Sequence, residues 1–121
     1  MMQVTPHMRI YVATEPLDFR RGIDGTAAVC RQVLQRDPHS GAAFVFRNRT
    51  AKMVRVLVFD GHGTWLVTKR VAKGRFGQWV RAAGADVGIE PHQLHTLLAG
   101  GNWTELGPVE SWRSLHDPRA D

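Results

Sequence analysis

The stretch Gly41–Phe76, GAAFVFRNRTAKMVRVLVFDGHGTWLVTKRVAKGRF, constrains the fold of this chain more than any other. It holds three runs rich in β-branched and aromatic residues, Ala43–Arg49, Met53–Phe59 and Thr64–Val71, separated by polar or Gly-bearing breaks at Thr50–Lys52 and Asp60–Gly63. Strand, short turn, strand, short turn, strand is the pattern of an antiparallel meander. Cations run through it at Arg47, Arg49, Lys52, Arg55, Lys69, Arg70, Lys73 and Arg75, and Asp60, at a predicted turn, is its only acid.

The flanks supply the rest of an α+β domain. Met8–Thr14 alternates as a short strand, and Ile23–Arg36 reads as the main helix, with Asp18 or Asp24 as its cap and an apolar stripe through Ile23, Ala27, Val29 or Cys30, and Val33–Leu34. Asp37-Pro38-His39-Ser40-Gly41 stops that helix with turn chemistry. Residues 77–88 are rich in small residues, have no firm period, and read as a mobile segment. Glu90-Pro91 then opens a short helix, His92–Ala99, with Leu94, Leu97 and Leu98 inward and Gly100-Gly101 at its exit. Asn102–Leu106 reads as one more turn or a final strand. The expected fold is α+β, a small antiparallel meander of about four strands in the order β-α-β-β-β-α, packed on one main helix plus a short C-terminal helix. The expected organisation is a flexible leader over 1–7, one domain over 8–106 and a disordered tail over 107–121.

Composition narrows the function classes. A chain of 121 residues is the size of one domain. No window approaches the roughly 18 apolar residues of a membrane span, and the N-terminus lacks the pattern of a signal peptide. The single cysteine, Cys30, leaves no internal disulfide and fits a reducing cytoplasm. The net charge of +5 is unevenly placed. Residues 1–75 carry thirteen Lys/Arg against five Asp/Glu, and residues 76–121 carry three against six, balances of +8 and −3. A concentrated basic region neutralises phosphates and releases counterions, which is the usual origin of nucleic-acid affinity.

Each candidate chemistry stands beside a plainer role. Asp18, Asp24 and Asp60 are the carboxylates nearest the basic region, and a metal-dependent nuclease would need them to converge; a helix cap for Asp24, an Asp-Gly turn for Asp60 and a pairing of Asp18 with Arg20 or Arg21 account for them separately. His92 and His95 lie three apart on the second predicted helix without a third ligand, the pattern of surface histidines. Cys30 lies on the apolar side of the first helix and reads as an inert thiol. Gly61-His62-Gly63 and Lys73-Gly74 sit between or after strands, not at the strand-to-helix junction of a phosphate loop. No cofactor and no small-molecule substrate is indicated. Phe44 and Phe46 share a strand face and read as core, whereas Arg47 and Arg49 share the parity of Val45, which makes that face mixed and wet. Phe59, Trp65 and Phe76 are core or base-stacking residues.

The residues RIYVATEPLDFRRGIDG (9–25), DPHSGAAFVFRNR (37–49) and LVFDGHGTWLVTKRVAKGRF (57–76) closely resemble the small accessory protein called TnpB of the sixty-six-type insertion sequences, which is unrelated to the RNA-guided nuclease of the same name. The likeness covers residues 8–76, and the Gln93-Leu94…Leu97-Leu98…Gly100 segment is similar to that family's C-terminal helix. Phe19 stands where Met is usual, Thr26 where Leu is usual, and Phe59 where Trp is usual before Asp-Gly. The resemblance implies a helper in DNA transposition of a bacterial mobile element, alongside the transposase and one further accessory protein, with no catalytic residues to carry over. The expected function is a non-catalytic accessory factor in the cytoplasm, at the nucleoid, whose basic sheet contacts DNA phosphates, the transposase, or both. Arg20, Arg21, Arg47, Arg49, Lys69, Arg70, Lys73 and Arg75 are its expected contact residues. The alternatives are an assembly module that never touches DNA and a nuclease built on Asp18, Asp24 and Asp60.

Overall fold

A computed structural model of the chain describes residues 7–76 and 79–99. Its elements follow as β1 (Ile10–Ala13), α1 (Ile23–Val29), β2 (Ala43–Arg47), β3 (Met53–Phe59), β4 (Thr64–Arg70), β5 (Asp86–Ile89) and α2 (Pro91–Leu98). The α1 helix runs on through a π-helical turn at Cys30–Leu34 and ends where Gln35 takes a left-handed conformation. The five strands form one sheet in the order β4-β3-β2-β1-β5. β1 and β2 are parallel, with α1 in the connection between them, and the other neighbours are antiparallel. The fold is α+β, as expected, and the three meander strands lie where alternation and turn residues place them. The parallel pair and β5 are additions. β5 has four residues with Gly88 among them, too short to show a period, and it is held by pairing with β1 from Ile10↔Ile89 to Ala13↔Asp86. The leader up to residue 6, the Gly100-Gly101 exit, Asn102–Leu106 and the tail lie outside the described residues.

Both faces of the inner strands β1, β2 and β3 are covered. On one face Phe44, Phe46 and Leu57 pack with Ala27, Cys30 and Leu34 of the first helix and with Leu17. On the other, Ile10, Val12, Val45, Val54, Val56 and Val58 pack with Leu94 and Leu97 of α2 and with Phe76 and Val80. The face of Val45 is therefore dry, contrary to the sequence expectation, because α2 returns across it; Val45 has no exposed surface. Parity tells which side chains share a face, and a distant element decides whether that face meets water.

The helices differ from expectation at their edges. The N-cap of α1 is Gly22, no side chain caps it, and Asp24 sits in the first turn, where a carboxylate favours the helix dipole. Neither Asp18 nor Asp24 is the cap. The buried stripe is Thr26, Ala27, Cys30 and Leu34, while Ile23 and Val33 face solvent. α2 begins as Glu90-Pro91 predicts: Glu90 and Gln93 form a reciprocal capping box, the Glu90 amide donating to Gln93 Oε1 at 2.9 Å.

Thr26 is fully buried and its Oγ1 has no hydrogen-bond partner among the described residues. A buried unsatisfied hydroxyl costs about 1–3 kcal/mol, and valine has the same shape without it. Thr26→Val is thus expected to raise the free energy of unfolding by about 1 kcal/mol in chemical denaturation; a loss of stability would show that the hydroxyl is satisfied.

Candidate nucleic-acid interface

The cations of the meander lie mostly where its strands end, and one end of the sheet collects most of them. Strand register does the collecting. Arg47 pairs with Val54, Val54 with Lys69, and Met53 with Arg70, so the end of β2, the β2–β3 turn and the end of β4 lie side by side. The turn is built by Asn48, whose Oδ1 accepts from the backbone amides of Lys52 (2.9 Å) and Met53 (3.0 Å) while its backbone N–H donates to the Met53 carbonyl. Ala51 takes φ 58°, a left-handed conformation that costs an alanine about 1–2 kcal/mol. Burying one large strand side chain such as Phe44 is worth about as much or more, so the register prevails over the strain. The segment after β4 then folds back on this turn: the Val71 amide donates to Lys52 O at 2.9 Å and the Phe76 amide to Ala51 O at 2.7 Å. Arg47, Arg49, Lys52, Lys69, Arg70, Lys73 and Arg75 are gathered there by backbone pairing alone.

Their side chains are not equivalent. Arg47 is half-buried; its Nη1 donates to the carbonyls of Asn48 and Arg49, and its Nε is buried without a partner among the described residues. Lys69 donates to the Leu98 carbonyl and so closes the C-terminal end of α2, where a cation also suits the helix dipole. Arg49, Lys52, Arg70, Lys73 and Arg75 are exposed, and their charged groups meet no acid among the described residues. Arg20 and Arg21 lie on the loop leaving β1, which starts from the same end because the Leu17 amide donates to Arg47 O at 2.9 Å. Arg20 is spoken for: it forms a salt bridge with Asp18 at 2.8 Å, and that contact lowers the Asp18 carboxyl to about 2. Arg21 keeps an exposed side chain, while its carbonyl accepts from Arg55 Nη1 at 2.8 Å.

Arg55 sits inside the meander but works in the fold. Its guanidinium lies 4.3 Å over the Phe19 ring, and its Nε donates to Thr68 Oγ1 at 3.1 Å. Partial burial lowers its pKa, and these partners replace the lost water. Two further cations join the rim beyond the expected set. Lys52 is countable from the hairpin. Arg81 is not: it lies in the acidic half of the chain and reaches this end through the β1–β5 pairing, lining with Arg47, Glu15 and Trp79 a hollow of about 350 Å³.

The three carboxylates do not converge. Asp18 follows β1 at the basic end, Asp24 is on the first turn of α1, and Asp60 holds the β3–β4 turn at the opposite end of the sheet. Asp60 Oδ1 accepts from the amides of His62 and Gly63, and its Oδ2 accepts from the Trp65 indole N–H, each at 2.8 Å. Among the described residues no three His, Cys, Asp or Glu side chains come together. Cys30 is buried, which pushes its thiol up to about 12. Phe44, Phe46 and Phe76 are core; Phe59 rests against His39 with ring centroids 4.8 Å apart. Trp65 is 37% exposed. Among the described residues no helix is long and apolar enough to cross a membrane.

One end of the α+β sheet thus gathers exposed cations, and the described carboxylates stay apart from one another. Residues 8–108 match the family described as IS66 Orf2-like protein, and the chain belongs to that family of insertion-sequence accessory proteins. Two proteins of Sinorhizobium fredii are similar to it: the uncharacterized protein y4hO, 38% identical across 93% of this chain and 96% of its own length, and the uncharacterized protein y4jC, 38% identical across 82% and 84%. No solved structure matches.

The Asp60 turn carries a pH signature. Its three donors hold the carboxyl at about 2, below the ordinary 3.8. A depressed folded-state value means that the stabilisation is complete above the ordinary value and disappears as pH falls through about 2. Asp60→Asn, which keeps one acceptor but turns an amide toward the indole, is expected to be less stable than wild type at neutral pH. The gap should close between pH 4 and 2 in denaturation curves; a pH-independent gap would contradict the assignment.

Proposed function

We propose that this chain is a non-enzymatic accessory protein of insertion-sequence transposition that holds DNA by its phosphate backbone through the basic end of its sheet. The observation that carries this reading is the gathering of Arg47, Arg49, Lys52, Lys69, Arg70, Lys73 and Arg75 at one strand end, with Arg49, Lys52, Arg70, Lys73 and Arg75 exposed. Positioned cations with no recognition helix beside them among the described residues neutralise phosphates and read no bases, so the contact is electrostatic and largely indifferent to sequence. Arg47 and Lys69 act chiefly by shaping this rim, and Arg20 contributes less than Arg21 because Asp18 offsets its charge. Such a protein works in the cytoplasm, on DNA and in company with the transposase of its element.

A mobility-shift titration across salt concentrations tests this. Each phosphate contact contributes about one unit to the slope of log affinity against log salt. The double variant Lys73→Ala/Arg75→Ala is expected to weaken binding for all duplex sequences alike and to reduce the slope by about 2, while Arg31→Ala, on the helix away from the rim, changes neither. No binding at low salt, with the transposase captured through the same residues, would make the protein an assembly module instead.

A further inference from the structure

The sheet has two edges, and they are finished differently. β5 is four residues long, contains Gly88, and carries Asp86 in a salt bridge with Arg36 at 2.7 Å. Short strands and charges held at the edge are how proteins keep an edge from pairing further. β4 is neither short nor broken by glycine, and its only charges, Lys69 and Arg70, stand at one end. It is seven residues, TWLVTKR, without Gly or Pro, in unbroken register with β3 from Phe59↔Thr64 to Met53↔Arg70, and among the described residues it pairs with β3 alone. Trp65 and Val67 are 37% and 39% exposed, on the face that α2 covers over the neighbouring strands. The cation that would guard the edge, Lys69, is drawn aside to the Leu98 carbonyl.

We propose that β4 is a homodimerisation edge, pairing antiparallel with β4 of a second copy to make one continuous ten-stranded sheet. The hydrogen-bond phase specifies how. The Val71 amide donates to Lys52 O and the Asp60 amide to Gly63 O, so odd-numbered residues of β4 bond inward to β3. By the alternation of an antiparallel ladder, Thr64, Leu66, Thr68 and Arg70 then direct their N–H and C=O groups outward. A two-fold axis through Val67 uses the whole strand. It sets Val67 against Val67 as a non-hydrogen-bonded pair, Leu66 against Thr68, and Thr64 against Arg70, leaving all four outward residues bonded. The side chains agree with that register. Lys69 falls opposite the uncharged Trp65, and Arg70 falls beside the turn that bears Asp60. No two like charges face each other directly. The antiparallel arrangement also sends the two basic ends to opposite ends of the joined sheet, so a single protein particle presents two separate phosphate-binding rims and can hold two duplex segments. The dimer itself does not depend on what those rims bind.

Sedimentation equilibrium from micromolar to millimolar protein, with site-directed crosslinking, decides it. Wild type is expected to approach twice the 13.6 kDa chain mass. Val67→Cys is expected to form an intermolecular disulfide on mild oxidation, since non-hydrogen-bonded partners sit about 4.5 Å apart at Cα. Thr68→Cys, one residue away but facing Leu66, is not, and buried Cys30 does not interfere. Val67→Glu, folded by its amide spectrum, is expected to stay monomeric. Wild type at monomer mass throughout, or a dimer that survives Val67→Glu and is not crosslinked by Val67→Cys, would overturn the proposal.

Discussion

Burial of the central strands on both faces is the constraint on which the remainder depends. From Ala43 to Phe46 every residue of β2 is buried, alternately under the first helix and under α2. A charged side chain in such a strand costs several kcal/mol unless it finds partners, so the chain has few places to put its sixteen Lys and Arg. Arg55 shows what an interior position demands: an aromatic face, a hydroxyl and a carbonyl from the β1–α1 loop. The other meander cations lie at strand ends and in turns. Since β2–β3 and β3–β4 are tight hairpins, those ends fall together.

The two hairpin turns divide the labour. The Asn48 turn, with Ala51 strained and the 71–76 segment tied across it, displays cations and is held by amide donors to a neutral side chain. The Asp60 turn at the other end holds its carboxylate with two amides and an indole. One end of the sheet is strongly positive and the other carries an acid, which gives the domain a polarity along its strands.

Much of this was legible in the sequence. Alternation with the polar or Gly-bearing breaks at Thr50–Lys52 and Asp60–Gly63 located the three meander strands, though Asn48 and Arg49 belong to the turn and not to β2, and Glu90-Pro91 announced α2. The basic excess of residues 1–75 lies largely in the elements that meet at one end of the sheet. Three things were not legible, each for a physical reason. β5 is too short to have a period, and it exists because β1 offers an edge. The dry face of Val45 depends on α2 crossing it from about fifty residues away, which local parity does not report. Individual cations also differ: the pairing of Asp18 with Arg20 was expected from their spacing, but that Lys69 serves the end of α2 and that Arg81 arrives from the acidic half were not.

The central claim is that one end of the sheet is the contact surface, and amide chemical-shift mapping tests it most directly. On titration of labelled protein with a short duplex, the account predicts perturbations concentrated in residues 47–52 and 69–76, with Arg21 and Arg81 at the margin and the Asp60–Gly63 turn unmoved. Shifts centred on the Asp60 turn or on the exposed side of α1, or spread evenly over the surface, would contradict it.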